Sequence, residues 1–332
     1  MVLESDKKIV VFLVLKILKE YSDENHLMTY NQILDKLDDL YGIRPDIKSV
    51  ASNVNTLIAA GYDIIKNGYK GCYLSEREFE SGELMYLVDA VNSSNAIPAR
   101  QAKDLIEKLT AGCSKYERKR YKPISKMDKI SNSKNKALFY VIEVLSEAIE
   151  KGKKVKFNYN EYKITKELEP RFKGKEFIIN PYFLVNSRGK YYLVCNYDKY
   201  DDVSNYKIEC ISNVTILDED VKPIKSLKDM ENFTKQKYID EHIYMTYGKT
   251  INATLKVTNP KYIGDIIDWF GDDITIVKNS DPIEVRLTVN EQALIYWALQ
   301  YGEHVEIIMP KETREKIKQS LKNILNKYED EE

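Results

Sequence analysis

The first seventy-five residues constrain the fold most, because three short helix patterns are followed there by two strand-like runs. Apolar residues recur at helical spacing over residues 9–18. Thr29 and Gln32 have the spacing of a capping box and predict the start of a second helix, which Gly42 ends. A chain that begins in this way is expected to fold its first domain from local helix contacts.

The third helix pattern has one apolar face and one face of small polar side chains. Asp46 is placed to cap it and Gly61 to end it. The apolar stripe predicted to be buried comprises Ile47, Val50, Val54, Leu57 and Ile58. The polar face comprises Lys48, Ser49, Ser52, Asn53, Asn55 and Thr56. Such short donors and acceptors can reach base edges or phosphates in a major groove.

Two strands, residues 62–65 and 72–74, are predicted after this helix. Asn67-Gly68 is a turn signal, and it places Lys66, Tyr69 and Lys70 at the tip of a hairpin. Three helices and a hairpin in this order predict a winged helix-turn-helix that binds double-stranded DNA, with a plain helical bundle as the alternative. Residues 1–75 hold nine Lys or Arg and ten Asp or Glu, so we expect a local DNA-binding face and a homodimer.

The composition excludes several other classes. A length of 332 residues with 43% hydrophobic and 31% charged residues predicts two or three globular domains. No apolar run approaches the ~18 residues that span a bilayer, so we expect a cytoplasmic protein without membrane contact. The four cysteines show no CxxC pair and the three histidines are far apart, so no metal or cofactor is predicted. Without a phosphate-binding loop, HExxH or GxSxG motif, we expect no enzyme.

Residues 76–136 read as a helical connector. Apolar residues at helical spacing predict helices over 76–112. The segment 115–134 is basic and polar, and we expect an exposed linker there, with a phosphate-contacting or hinge element as the alternative.

The rest of the chain predicts two further domains. In 137–230 a helix precedes short alternating strands with frequent turn signals, which is typical of a small β-barrel. In 248–329 the order strand, helix, strand, strand, helix, strand, helix indicates a compact α/β sandwich-like module. The whole chain is therefore expected to be an α+β multidomain protein.

The middle and last domains resemble those of the WYL-domain transcriptional regulators. Tyr191-Tyr192-Leu193 is similar to the Trp-Tyr-Leu signature, and Arg188-Gly189-Lys190 precedes it. Pro181–Val185 and Tyr206–Ile211 resemble the flanking strands, and Leu294–Leu299 with Trp297 resembles the C-terminal extension. The resemblance implies a winged helix-turn-helix at residues 1–75, an Sm- or SH3-like barrel, and the extension domain, in that order.

The same resemblance implies an anionic effector, either a single-stranded nucleic acid or a nucleotide. We expect Tyr159, Tyr192 and Tyr206 to stack on it, and Arg188 and Lys207 to neutralise it. The chain departs from the family in having Lys207 and Cys210 where arginines are usual. The hypothesis is a ligand-responsive DNA-binding regulator. The alternative is a DNA-binding scaffold or partner-regulating protein that senses no small effector.

Overall fold

The computed structural model describes residues 7–94, 96–125, 137–228, 230, 234–277 and 281–329. Two compact units divide the chain, Met1–Ser133 and Lys134–Glu332. Helices and several antiparallel sheets are both present, which confirms the predicted α+β class. The four finer domain boundaries stay predictions.

Unit 1 is mainly helical. Its helices are α1 (Lys7–Tyr21), α2 (Tyr30–Tyr41), α3 (Ile47–Ala59), α4 (Ser81–Ser93), α5 (Ala99–Leu109) and α6 (Arg118–Ser125), and its strands are β1 (Ile64–Lys66) and β2 (Cys72–Leu74). The predicted caps are confirmed. The Gln32 side chain accepts a hydrogen bond from the Thr29 backbone at 2.8 Å, and Asp46 accepts one from the Ser49 backbone at 2.8 Å. Gly42 ends α2 in the left-handed conformation.

The core of α1–α3 follows most of the predicted stripes. Val50, Val54 and Leu57 of α3 are buried against α1 and α2. The prediction that Ile47 and Ile58 are buried is wrong, because they are 45% and 38% exposed. Both lie at an edge of the apolar stripe, in the first and last turns of the helix, where neighbouring elements do not cover them fully.

The hairpin after α3 is tied to the loop between α1 and α2. Strands β1 and β2 pair antiparallel, and Cys72 also forms a bridge with Met28. Gly71, with φ of 113°, lies so close to this loop that a Cβ atom there would be 2.3 Å from the Met28 carbonyl oxygen. Only glycine fits this position without moving backbone.

The basic segment after residue 115 is not simply an exposed linker. Residues 118–125 form α6, and Tyr121 in it is only 3% exposed. The side chain of Arg118 pairs with Glu20, and the Ser114 hydroxyl donates to the buried Asp23 at 2.7 Å. The linker prediction is therefore corrected for this part, because Tyr121 packs against α4 and α5 and Arg118 pairs with α1. Residues 126–136 lie outside the described residues.

Unit 2 opens with α7 (Leu138–Lys151), which packs on an antiparallel sheet. Its strands are β3 (Lys153–Tyr162), β4 (Leu168–Pro170), β5 (Glu176–Ser187), β6 (Lys190–Asn196), β7 (Val203–Lys207) and β8 (Ile211–Asp220), and α8 (Lys235–Glu241) follows. The order is β4-β3-β5-β6-β7, with β8 also on β3. Closure of this sheet into a barrel stays a prediction.

Two details of the predicted strands differ in the structure. The expected strand Pro181–Val185 is part of a longer strand, β5, which has a bulge between Pro181 and Phe183. The expected strand over 206–211 stops at Lys207, because residues 208–210 form a 3-10 turn before β8.

The last part of unit 2 has the predicted element order. Its elements are β9 (Thr250–Val257), α9 (Tyr262–Phe270), β10 (Thr275–Val277), β11 (Ile283–Asn290), α10 (Glu291–Gln300), β12 (Val305–Met309) and α11 (Lys311–Leu325). The sheet is antiparallel in the order β10-β11-β9-β12. Trp297 of α10 is fully buried in the core between helices and sheet.

Candidate nucleic-acid interface and effector face

One row of polar side chains runs along the outer surface of α3. Lys48, Ser52 and Asn55 follow at intervals of four and three residues and are all exposed. This spacing puts them on one stripe of the helix, opposite the buried Val50, Val54 and Leu57. We call Lys48, Ser52 and Asn55 the α3 row.

Two other residues of the predicted polar face, Ser49 and Asn53, lie on the flank of α3 and are half-buried. The Ser49 hydroxyl donates to Asp46 at 3.0 Å, so this side chain takes part in the helix cap. Thr56 is exposed, and its hydroxyl donates to the Ser52 carbonyl oxygen at 3.0 Å. The structure therefore brings three of the six predicted polar residues onto the α3 row.

The hairpin places its cations beside this row. Lys66 at the end of β1 donates a hydrogen bond to the Asn55 side-chain oxygen. Tyr69 is 92% exposed, and Lys70 next to it is exposed as well. All three predicted hairpin residues therefore face solvent, and Lys66 also contacts the α3 row.

Three lysines near α3 and the hairpin take no part in the ion pairs of the first three helices. Arg44, before α3, pairs with Asp38 at 2.7 Å. Within the described residues, Lys48, Lys66 and Lys70 have no carboxylate partner. A small positive surface thus lies on a module with balanced charge, as local phosphate contacts require.

In unit 2, a cluster of aromatic rings surrounds two of the predicted effector residues. The rings of Tyr159 and Tyr206 are 4.8 Å apart between centroids, edge to face. The Tyr206 hydroxyl lies 2.5 Å from that of Tyr197, and its ring also contacts Phe157 and Phe177. Burial raises the pKa of Tyr159 and of Tyr206, which keeps both phenols neutral. We call these five rings the aromatic cluster.

The predicted cation Lys207 is next to this cluster in the chain and is half-buried. Cys210, three residues on, is buried, and burial raises the pKa of its thiol to about 11. It is therefore a neutral group at a position where the family resemblance implies a positive charge.

Tyr192 is a core residue rather than a ligand contact, which corrects its predicted role. It lies opposite Lys207 in the β6–β7 ladder, on the other side of the sheet from Leu193 and Tyr206. Only 9% of it is exposed, since Tyr238 and Met245 pack in the same cluster. A ring covered in this way cannot stack on an effector.

Arg188 also lies away from the aromatic cluster. It forms the β5–β6 turn with Gly189, both with positive φ. Its guanidinium carbon is 3.4 Å from the Trp269 ring centroid, and it donates to the Asp268 carbonyl oxygen at 3.5 Å. Burial lowers the pKa of Arg188 below its usual value. Lys207, the partner of Tyr192 in the ladder, lies on the same side of the sheet as Tyr192 and not with Tyr206. The expected group of five effector residues is thus reduced to Tyr159 and Tyr206.

The sequence interpretation did not select the other aromatic residues of this surface. Phe177 and Tyr197 belong to the cluster, and Phe172 beside Phe177 is 61% exposed with the Arg171 guanidinium 4.7 Å away. Tyr200 is 52% exposed and lies 4.7 Å from the Lys199 ammonium. The sequence shows many aromatic residues in β3, β5 and β6. Which of them lie on the same face can be decided only from the register of the strands in the sheet.

Two negative findings apply to the described residues. Nowhere in the described ranges do three or more His, Cys, Asp or Glu side chains group so as to hold a metal ion. The helices described are too short or too polar to cross a membrane.

Comparisons with known proteins agree with the fold of unit 2. The model of the WYL domain matches residues 140–216, and that of the WCX domain matches residues 249–325. An α7-plus-sheet domain followed by an α/β module therefore defines a protein of WYL–WCX architecture. The chain contains a WYL domain and a WCX domain, which confirms the sequence resemblance of its middle and last domains.

Two solved structures are similar over most of the chain. Proteasome accessory factor B/C (PafBC) of Arthrobacter aurescens is 15% identical, with 96% of this chain and 49% of that chain covered and a TM-score of 0.30. A CRISPR Cas-related protein is 13% identical, with 96% and 85% covered and a TM-score of 0.38. TM-scores this low carry no structural argument, and the chain spans about half the length of PafBC. No curated protein matches the chain.

Proposed function

We propose that this protein is a transcriptional regulator whose unit 1 binds double-stranded DNA as a winged helix-turn-helix. Helix α3 would lie in the major groove, with Lys48, Ser52 and Asn55 towards the bases. Ser49 and Asn53 on the flank, and Lys66, Tyr69 and Lys70 on the hairpin, would contact the backbone or the edge of the groove. The observation that carries the proposal is the exposed α3 row on the side of the helix opposite the buried Val50, Val54 and Leu57.

The active species is proposed to be a homodimer. Residues 1–75 carry slightly more acidic than basic residues, so one copy makes few phosphate contacts. Two copies related by a twofold axis would bind two half-sites, as is usual for helix-turn-helix proteins.

The effector is proposed to bind at the aromatic cluster, and to be a single-stranded nucleic acid or a nucleotide. Tyr159 and Tyr206 supply rings, and Arg171, which lies beside Phe172 and acts on the Tyr206 phenol, supplies a positive charge in place of the predicted Lys207. Residues 151–207 hold thirteen Lys or Arg against seven Asp or Glu, which favours an anion. Base stacking on aromatic side chains contributes ~1–3 kcal/mol per base and tolerates any sequence.

A second candidate function is a DNA-binding scaffold that senses no small effector. The burial of Tyr192 and Cys210 and the engagement of Arg188 with Trp269 favour it, because each removes a predicted ligand contact. In both versions the protein is proposed to act in the cytoplasm, without catalysis and without a cofactor.

A gel-shift experiment with the purified protein tests the proposal. The probe is the duplex upstream of its own gene, with a scrambled duplex of equal length as control. A specific regulator is expected to shift the upstream probe at a lower protein concentration than the scrambled probe. If the protein senses an effector, added single-stranded DNA is expected to change the protein concentration needed for the shift. Equal, weak shifts of both duplexes would contradict a role as a specific regulator.

A further inference from the structure

The contact between Lys66 and Asn55 fixes which way the Asn55 amide faces. An ammonium group only donates hydrogen bonds, so the amide oxygen of Asn55 must point towards Lys66. The amide nitrogen, which has two N–H donors, then points away from the hairpin. Both residues are exposed, so their remaining donors are accessible to a ligand.

The linked pair therefore offers donors side by side on the outer surface of α3. Lys66 retains two further N–H groups and Asn55 retains its NH₂ group. Asn55 is the last residue of the α3 row and the one nearest the hairpin in the chain. The pair of Asn55 and Lys66 therefore lies where the row meets the hairpin.

In the major groove, such a pair fits a different base edge from the one that a single asparagine fits. Guanine presents two acceptors there, N7 and O6, whereas adenine presents the acceptor N7 and the donor N6. An asparagine that is free to use its oxygen and nitrogen together pairs with adenine. Because the Asn55 oxygen is turned towards Lys66 and its NH₂ group away from the hairpin, adenine N6 would face donors, whereas guanine would gain two matched hydrogen bonds.

We propose that Lys66 and Asn55 act as one unit that selects guanine, with Lys66 as the residue that determines this specificity. The inference rests on the proposed function, because it requires α3 to lie in a major groove. It adds to that function the identity of one base and the reason for it. Lys66 acts by orienting Asn55 as well as by its own donors.

Selection from a library of randomised duplexes tests the inference with the full-length protein. The wild type, K66M and K70M are compared. K70M is the matched control, since it removes the same charge from the same hairpin, and no hydrogen bond or ion pair joins the Lys70 side chain to α3 within the described residues. We expect wild type and K70M to select the same motif, and K66M to change one guanine position to adenine with a roughly tenfold change in preference.

A chemical substitution at the selected guanine adds a second readout. With 7-deazaguanine, which lacks the N7 acceptor, the wild type is expected to bind about tenfold more weakly, and N55A to bind both duplexes equally. Inosine, which keeps N7 and O6, is expected to bind the wild type as guanine does. Equal melting temperatures exclude misfolding of these surface variants.

Two outcomes would overturn the inference, and they are distinguishable. If K66M weakens binding to all duplexes alike and keeps the wild-type motif, Lys66 is only a phosphate contact, and the proposed duplex binding stands. If the wild-type protein enriches no duplex, the proposed function fails and the inference fails with it.

Discussion

The guanidinium of Arg188 lies over the indole ring of Trp269, with 3.4 Å between Cζ and the ring centroid. Arg188 is in the β5–β6 turn of the WYL domain, and Trp269 is in α9 of the WCX domain. The ring nitrogen of Trp269 in turn donates to the Tyr301 hydroxyl at 3.1 Å. These contacts connect the two domains of unit 2 through one cation and one aromatic side chain.

The first prediction concerns this contact. We expect R188A to lower the free energy of unfolding of unit 2 by about 1 kcal/mol, the usual size of a partly desolvated cation–π interaction. Tryptophan fluorescence in a urea titration measures it, because Trp269 and Trp297 are the only tryptophans of the chain and both lie in unit 2. R188K, which keeps the charge without the planar group, should show part of the loss. Unchanged emission and stability in R188A would contradict the contact.

The second prediction separates the cation beside the aromatic cluster from the two cations that were expected to bind the effector. A single-stranded oligothymidine should raise the melting temperature of the wild type, of R188A and of K207A, but not of R171A. The reason is that Arg171 acts on Tyr206 of the aromatic cluster, whereas Trp269 holds Arg188 and Lys207 lies on the other side of the sheet. Loss of the shift in R188A or K207A with retention in R171A would place the effector elsewhere. The absence of any shift in the wild type would favour the scaffold.

A third prediction uses two glycines of the hairpin. G71A should destabilise the hairpin by about 3 kcal/mol, because φ is 113° and the new Cβ would overlap the Met28 carbonyl group. G68A is the control, with φ of 50° and open space around it, and should cost about 1 kcal/mol. Hydrogen exchange over residues 64–74 measures the loss of hairpin stability in the two variants, and gel shifts measure its effect on DNA binding. Equal effects of the two substitutions would show that the Met28 contact is not formed.

The fourth prediction is a pH dependence that arises at His242. Burial lowers the pKa of His242 to about 4, and its ring stacks on Tyr238 with 4.0 Å between centroids. The unfolded chain, in which histidine titrates near 6.5, therefore binds a proton that the folded protein excludes. This contribution is fully present above pH 6.5 and is lost as the pH falls towards 4, by about 3 kcal/mol in total.

Urea titrations followed by tryptophan fluorescence between pH 4 and pH 7 measure this effect. H242F keeps an aromatic ring against Tyr238 and should remove most of the slope. H304F is the matched control, since His304 also stacks on a tyrosine, Tyr262, but its side chain is 38% exposed. Burial raises the pKa of the neighbouring Glu241, which acts in the opposite sense in all three proteins. A slope in H242F equal to that of the wild type would assign the effect to another group.

Local sequence rules predicted much of the fold because the interactions behind them are local. The Thr29–Gln32 capping box, the Asp46 cap and the Gly42 end each depend on residues within one turn. The order of elements in the WCX domain followed in the same way from alternation and helical spacing. The exposed α3 row lies on the side of the helix opposite the apolar stripe, and the spacing of apolar residues in the sequence predicts that stripe.

The errors concern contacts between residues far apart in the chain. Tyr192 was expected to be accessible, but Tyr238 and Met245, more than forty residues later, cover it. Arg188 was expected to face an effector, but its guanidinium packs on the ring of Trp269, about eighty residues later in the chain. Helix α6 was expected to be an exposed linker because its charge is high, while its pairing with Glu20 depends on α1. Patterns within one segment contain no information on such partners.

The binding of duplex DNA by the α3 row is the central claim, and fluorescence anisotropy with the upstream duplex tests it most directly. The variant K48A/S52A/N55A removes the row, and K103A removes the same charge from the exposed surface of α5. We expect the triple variant to bind at least a hundredfold more weakly at fixed salt, since it loses several base and phosphate contacts of about 1–3 kcal/mol each, and K103A to bind as the wild type does. Wild-type affinity in the triple variant, with an unchanged melting temperature, would contradict the account.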